Sequence, residues 1–223
     1  MPVNFAWHWL HGQVEKELWV LRRWADHKRI AVDIGANQGF YSMHLARWFR
    51  RVEAFEPNPT VVEILRAYGS RKVHINQVAL SSAEGEATLR VPVSAVGVEH
   101  SSWGSLENRI VPGAAKMREI RVPLRTLDSF GLTDVGLIKM DVEGHEQAVL
   151  EGAQQTLQHC RPIVMMEVKP SSRAMVKRQF DGLDYNLFTL EGGSLNPVGN
   201  AFESLPEIQE NVFALPRNMT ATR

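Results

Sequence analysis

Four short stretches of the sequence are apolar almost without interruption, and each has an acid at or near its C-terminal end. They are IAVDI at 30–34 with Asp33, VEAFE at 52–56 with Glu56, VGLIKMDV at 135–142 with Asp141, and PIVMMEV at 162–168 with Glu167. A strand wet on one face alternates apolar and polar residues, so an unbroken apolar run asks for cover on both faces. The intervening segments supply that cover. Helical periodicity runs over about residues 39–50 and from Pro59 to Tyr68, recurs at Val149, Leu150, Ala153 and Leu157, and continues after the last run to about Phe180. A further strand is read at 73–80 (VHINQVAL), and two more near Tyr185–Leu190 and Asn211–Leu215. Strands alternating with helices predict an α/β domain, a parallel sheet with helices on both faces.

With 223 residues and 44% apolar content the chain can bury one sizeable core, so residues 1–223 are read as a single domain with two appendages. The first is an N-terminal helical extension over 1–28, helical from about residue 5. Val14, Leu18, Leu21 and Ala25 recur there at helical spacing, and Trp7, Trp9, Trp19 and Trp24 crowd together to seal the end of the core or to offer a homodimer face. The second appendage is an excursion between the third and fourth strands. Strand pieces at Ala87–Val91 and Glu119–Val122 flank residues 92–118, which show neither periodicity. A long irregular insertion of this kind is more often an active-site cover than a spacer.

Charge and cysteine content exclude several functions. Lys and Arg total 25 and so do Asp and Glu, which leaves no basic footprint for nucleic acid. The single cysteine, Cys160, rules out an internal disulfide and is read as a small buried hydrophobe. MPVNFAWHWLHGQ has no secretory pattern, and no run reaches the roughly 20 apolar residues of a membrane span. The expectation is a soluble, cytoplasmic protein with no membrane or nucleic-acid partner.

Chemistry concentrates where the strands end. In VDIGANQGF, Gly35 and Gly39 lie between a buried strand and a helix, where backbone must turn sharply and come close to a ligand. In an open α/β sheet that ligand sits outside the carboxyl ends of the strands. Asp33 can accept a hydrogen bond from a ligand ammonium or organise the turn, and Glu56 can hold a ribose diol. A ribose-binding acid suits nicotinamide dinucleotides and S-adenosylmethionine alike. The turn discriminates better, because a pyrophosphate cradle wants G-x-G-x-x-G, whereas G-A-N-Q-G here comes after an acid that would repel pyrophosphate and welcome a sulfonium amino acid.

Taken in order, VDIGANQGFYS, AFEPNP, NQVALS, LRTLDSF, LIKMDVEGHEQAVLEGA and PIVMMEV, with NVFALP near 211, resemble the FkbM family of S-adenosylmethionine-dependent methyltransferases. The K-M-D-V-E-G-x-E run is the specific element. The resemblance implies a Rossmann-like class I methyltransferase fold: a seven-stranded, mostly parallel sheet with an antiparallel last strand. It also implies methyl transfer to oxygen on sugars or natural products. By the same resemblance Asp33, Gly35, Asn37 and Gly39 surround the methionine part of the cofactor, Glu56 with Pro57 and Asn58 holds the ribose, and Gln77 to Ala79 lie near the adenine.

Methyl transfer from a sulfonium is an in-line displacement, and an aliphatic hydroxyl needs a base or a metal to become a competent nucleophile. His145, at the start of the helix after the fourth strand, is the candidate base, since the positive helix end keeps an imidazole neutral. The family more often carries a small residue there, so this role is not inherited; the other reading is a partly exposed histidine at a helix start. Asp141 orients the cofactor or acceptor, or joins Glu167 in holding Mg²⁺. Lys139 and Glu143 are read as an ion pair, with Glu143 also on the substrate side. In the insertion, His100, Ser101, Ser102, Trp103, Ser105, Asn108 and Arg109 form a polar and aromatic cluster suited to a hydroxylated ligand. The composite expectation is an O-methyltransferase for a small acceptor, a saccharide or glycoside ahead of a polyketide or other natural product. A nicotinamide-dependent oxidoreductase and a non-catalytic cofactor-binding scaffold are the competing readings.

Overall fold

The computed structural model describes residues 16–100, 103–108, 111–206 and 211–219. Chain order begins with helix α1 (Lys16–Leu21), which tightens into a 3-10 turn at Arg22–Trp24. Leu18, Val20, Leu21 and Trp24 are buried, and the Trp24 ring meets Phe213 at 6.3 Å between centroids, whereas Trp19 is 61% exposed. Of the four tryptophans expected to seal the core, Trp24 does so and Trp19 faces outward; Trp7 and Trp9 lie outside the described residues.

The main sheet contains β1 (Ile30–Ile34), β2 (Val52–Phe55), β3 (Val73–Asn76), β7 (Val135–Met140), β8 (Ile163–Glu167), β9 (Tyr185–Glu191), β10 (Ser194–Pro197) and β11 (Asn211–Pro216). Their order is β10-β9-β11-β8-β7-β1-β2-β3, with β11 antiparallel to both β8 and β9. The antiparallel last strand is as expected. The sheet has eight strands rather than seven, because β10 folds back on β9 as a hairpin. Gly192 and Gly193, both at positive φ, form its two-residue loop, the conformation that matches the twist of paired strands.

Every residue of β1, β2 and β7 is buried, which is why their apolar runs show no alternation. On one face Ile30, Val32, Ile34, Ile138 and Met140 pack on helices α4 (Glu146–Glu151) and α5 (Gln154–Cys160) through Val149, Leu150 and Leu157. On the other, Ala31, Leu137 and Met165 pack on α2 (Phe40–Trp48) through Leu45, with Phe49, Leu21 and Trp24. Helices α3 (Pro59–Tyr68) and α6 (Arg173–Gly182) complete the alternation. Cys160 is buried, and its thiol points at the Leu132 carbonyl. No helix among the described residues is long and apolar enough to cross a membrane.

Residues 79–125 build a second, three-stranded sheet of β4 (Ala79–Leu80), β5 (Gly85–Val93) and β6 (Lys116–Arg125) in the order β4-β6-β5. The run VHINQVAL is therefore two strands in two sheets, parted by a bend at exposed Gln77 where the Val78 amide donates to the Asn76 carbonyl. Strands β5 and β6 are longer than expected, since Pro92 and Pro123, at which the sequence patterns stop, are accommodated inside the ladder.

The single helix expected after β7 is two. Gly152 breaks it by packing on the Ser81 carbonyl, and Asp128 caps the second half by accepting from the amides of Gln155 and Thr156. A Cβ on Gly152 would stand 2.0 Å from the Ser81 oxygen, although its φ of −80° is open to any residue. Gly152→Ala should therefore destabilise the domain by about 1–3 kcal/mol, read as a lower urea midpoint at unchanged slope. Alanine at Gly182, which has open space and no positive φ, would instead be neutral or stabilising.

Candidate active site

Strands β1, β2 and β7 end at one edge, and the turns that leave them line a common cleft. The turn after β1 must be glycine at position 35: φ is +71°, and a Cβ would stand 1.8 Å from the Asp141 carbonyl oxygen. Two turns are thereby held in backbone contact. Gly39, at φ +89°, starts α2 against the Leu65 side chain, and Asn37 between them is also left-handed at φ 49°.

Beneath this turn lies a buried charge cluster. Lys139 Nζ donates to the Gly35 carbonyl at 3.1 Å and stands 3.5 Å from Asp33 Oδ1, 3.8 Å from Asp141 Oδ2 and 5.0 Å from the Tyr41 ring centre. Asp33 is fully buried, its other oxygen accepting from Ser42 Oγ at 2.6 Å. Of the two roles open to Asp33, the structure places it in the turn's scaffold; it does not line the cleft. The expected Lys139–Glu143 pair does not form. Glu143 sits at φ 56°, past the end of β7, and its carboxylate faces Lys169 at 3.4 Å instead. Strand alternation cannot carry a side chain's direction through a left-handed turn.

Glu56 is 8% exposed, and its two oxygens accept from the backbone amides of Asn37 and Asn58, each at 2.9 Å. Burial pushes its carboxyl up to about 7, with those two amides partly offsetting the shift. Each oxygen keeps a lone pair for a further donor.

The cleft is open to solvent on one side. Its polar lining includes Gly35, Asn37, Glu56, Asn58, Asp141, Glu143 and His145, and its apolar walls are Ile34, Phe55, Val78, Leu80, Leu89 and Leu106. Pro57 and Ala79 also line it, while Gly39 and Gln77 do not. Among the described residues three acids line the cleft, and no Lys or Arg does.

His145 caps α4, and both its ring nitrogens are engaged: Nε2 lies 2.9 Å from Ser81 Oγ, and Nδ1 lies 2.7 Å from Glu107 Oε1. Sequence reasoning missed both partners, because they stand 64 and 38 residues away and no spacing relates them. The insertion is pinned to the same turn by Ser105, whose hydroxyl donates to the Glu143 carbonyl at 2.9 Å while its own backbone pairs with Arg90 of β5. His100 and Trp103 stack on each other, 5.1 Å between centroids, and do not line the cleft. Ser101, Ser102 and Arg109 lie outside the described residues. Of the two readings of Asp141, the one that pairs it with Glu167 around Mg²⁺ finds no support: Asp141 turns to Lys139, Glu167 lies outside the cleft lining, and no group of three or more His, Cys, Asp or Glu able to hold an ion occurs among the described residues.

The family model of the methyltransferase FkbM domain matches residues 33–193, which takes in the glycine turn, Glu56 and the whole turn after β7. The chain belongs to the FkbM methyltransferase family. The hexuronic acid methyltransferase AglP of Haloferax volcanii is 27% identical over 146 residues, 63% of this chain, which spans about half of that relative (56%). An FkbM methyltransferase from Methylobacillus flagellatus superposes at a TM-score of 0.55 with 16% identity, over 84% of this chain and 44% of that one. A Streptococcus mutans protein solved in complex with SAH does so at 0.55 with 10% identity, over 90% and 96%. These superpositions establish the fold.

In this FkbM domain Lys139→Met would leave Asp33 buried without its counter-charge. The expected loss is roughly 3–5 kcal/mol in urea unfolding, and adding Asp33→Asn should restore part of it.

Proposed function

We propose that this chain transfers the methyl group of S-adenosylmethionine to a hydroxyl oxygen of a small saccharide-type acceptor. The observation that carries the reading is the charge of the cleft: Glu56, Asp141 and Glu143 line it, and no Lys or Arg among the described residues does. Asp141 and Glu143 are backed by Lys139 and Lys169, which lie outside the lining, so a diphosphate would meet carboxylates and no cation at the cleft surface, whereas a sulfonium and an ammonium find acceptors there. Family membership and the SAH bound to the Streptococcus mutans protein support the same cofactor. The hexuronic acid substrate of the Haloferax volcanii relative supports a sugar acceptor.

The residues present fit that cofactor. Glu56, clamped by two backbone amides, has lone pairs for both ribose hydroxyls; the walls from Phe55, Val78, Leu89 and Leu106 suit the faces of a purine; Asp141 and the backbone at Gly35 and Asn37 take the amino-acid end. When bound, S-adenosylmethionine supplies an electrophilic methyl carbon. His145 lines the same cleft and takes the hydroxyl proton of the acceptor. The insertion over 92–118 acts as the cover that keeps water from competing, its segment around Gly104 and Leu106 closing one wall.

Calorimetry with S-adenosylmethionine, SAH and NADH, followed by an SAH-release assay on methyl glucoside, methyl glucuronoside and a hydroxylated macrolactone, tests the reading. Binding of NADH in place of S-adenosylmethionine overturns it, and turnover of the macrolactone alone moves the acceptor to natural products.

Glu56 adds a pH test. Ribose hydroxyls donate to the ionised carboxylate, so binding favours the form present above about pH 7. SAH affinity should be about ten-fold weaker at pH 6 than at pH 8, and Glu56→Gln should bind weakly with that dependence gone.

A further inference from the structure

Three hydrogen-bonding side chains from three separate segments meet in line at the cleft. Ser81 comes directly after β4, His145 caps α4 after β7, and Glu107 belongs to the insertion that closes the cleft wall. A carboxylate can only accept, so the Nδ1 of His145, 2.7 Å from Glu107 Oε1, is the nitrogen that carries the ring proton. The lone pair then belongs to Nε2, where the Ser81 hydroxyl donates at 2.9 Å. Ser81 is buried, and its carbonyl is locked against Gly152, so the nitrogen it marks is fixed by the core rather than by a mobile surface group.

We propose that Glu107 is a positioning residue for methyl transfer: it selects the Nδ1–H tautomer of His145 and leaves Nε2 as the proton acceptor. The proposal rests on the methyltransferase reading above and adds to it a residue outside the turn after β7. With the Ser81 backbone staying in place, its hydroxyl turns off Nε2 about the Cα–Cβ bond and the acceptor hydroxyl takes its position. As the bond from its oxygen to the methyl carbon forms and the sulfur–methyl bond breaks with the electron pair staying on sulfur, the hydroxyl proton passes to Nε2. The resulting imidazolium faces Glu107 across a charge-assisted hydrogen bond. Other charged groups near this turn are Asp141, Glu143, Glu146 and Lys169; Glu143 is matched by Lys169, and Asp141 by Lys139.

Two further contacts hold Glu107 in place. Its own amide donates to Ser105 Oγ at 3.0 Å, and that hydroxyl donates to the Glu143 carbonyl two residues before His145. The segment that walls the cleft therefore also orients the base, and docking of the insertion and readiness of His145 are one structural event. The Glu107 side chain is 51% exposed, so replacing it does not threaten the core.

The test compares the wild-type chain with Glu107→Gln and Glu107→Asp. In histidine-labelled protein with SAH present, long-range ¹⁵N–¹H spectra should show His145 protonated on Nδ1, and Glu107→Gln should mix or invert the tautomer. On whichever sugar in the acceptor panel turns over, kcat should fall about 10- to 100-fold in Glu107→Gln and partly recover in Glu107→Asp. KM and SAH affinity should stay within about two-fold. An unchanged tautomer, or an unchanged kcat in Glu107→Gln, overturns the proposal. Absence of SAH binding by the wild type overturns the methyltransferase reading instead, and the tautomer spectrum still decides the role of Glu107.

Discussion

A buried ammonium holds the functional edge of this fold together. Lys139 sits on the central strand β7 with its charge among the Asp33 and Asp141 carboxylates, the Gly35 carbonyl and the face of Tyr41. Charges so placed are costly to desolvate, and that cost is offset only where geometry is good and further hydrogen bonds satisfy them. Here the geometry ties the ends of two adjacent strands. Gly35 is drawn against the Asp141 backbone closely enough to exclude any side chain, and the amide of Asn37 arrives where it can clamp Glu56. Glu56, which lines the cleft, is thus positioned with the help of Asp33 and Lys139, which do not.

This arrangement separates what was legible in the sequence from what was not. The sheet and its helical layers were legible because a strand covered on both faces must be apolar at every position, as β1, β2 and β7 are. The glycine turn was legible because backbone at φ +71° in contact with another backbone leaves no choice of residue. The partner of Lys139 was not. Strand periodicity assigned Glu143, but β7 ends at Met140 and the left-handed residue at 143 turns that carboxylate toward Lys169. Similarly, the acid ahead of the glycines was visible while its burial beneath them was not, since burial is decided by Ser42 and Lys139, which meet it only in three dimensions.

The insertion was the least legible part. Its pattern is weak because β5 and β6 pair mostly with each other and bury residues on only part of their length, so neither face of the ladder carries a full apolar stripe. Prolines at 92 and 123 look like strand breakers in one dimension but are tolerated in the paired ladder. The polar cluster read as a ligand surface divides accordingly: His100 and Trp103 occupy each other, while Ser105 and the unremarked Glu107 reach the turn after β7.

The two sheets divide the work of the cleft. Edge residues of the large sheet bring its charge, Glu56 from β2 and Asp141 and Glu143 after β7, and the small sheet with its neighbours brings apolar wall, Val78, Leu80, Leu89 and Leu106. Apolar cover over carboxylates lowers the local dielectric and strengthens every interaction they make with a cationic ligand, while burial alone raises the proton affinity of Glu56. A ligand carrying positive charge gains most from such a site, and the gain depends on the contact between the sheets, since either sheet alone would leave the same acids in water, where their pull on a ligand is screened.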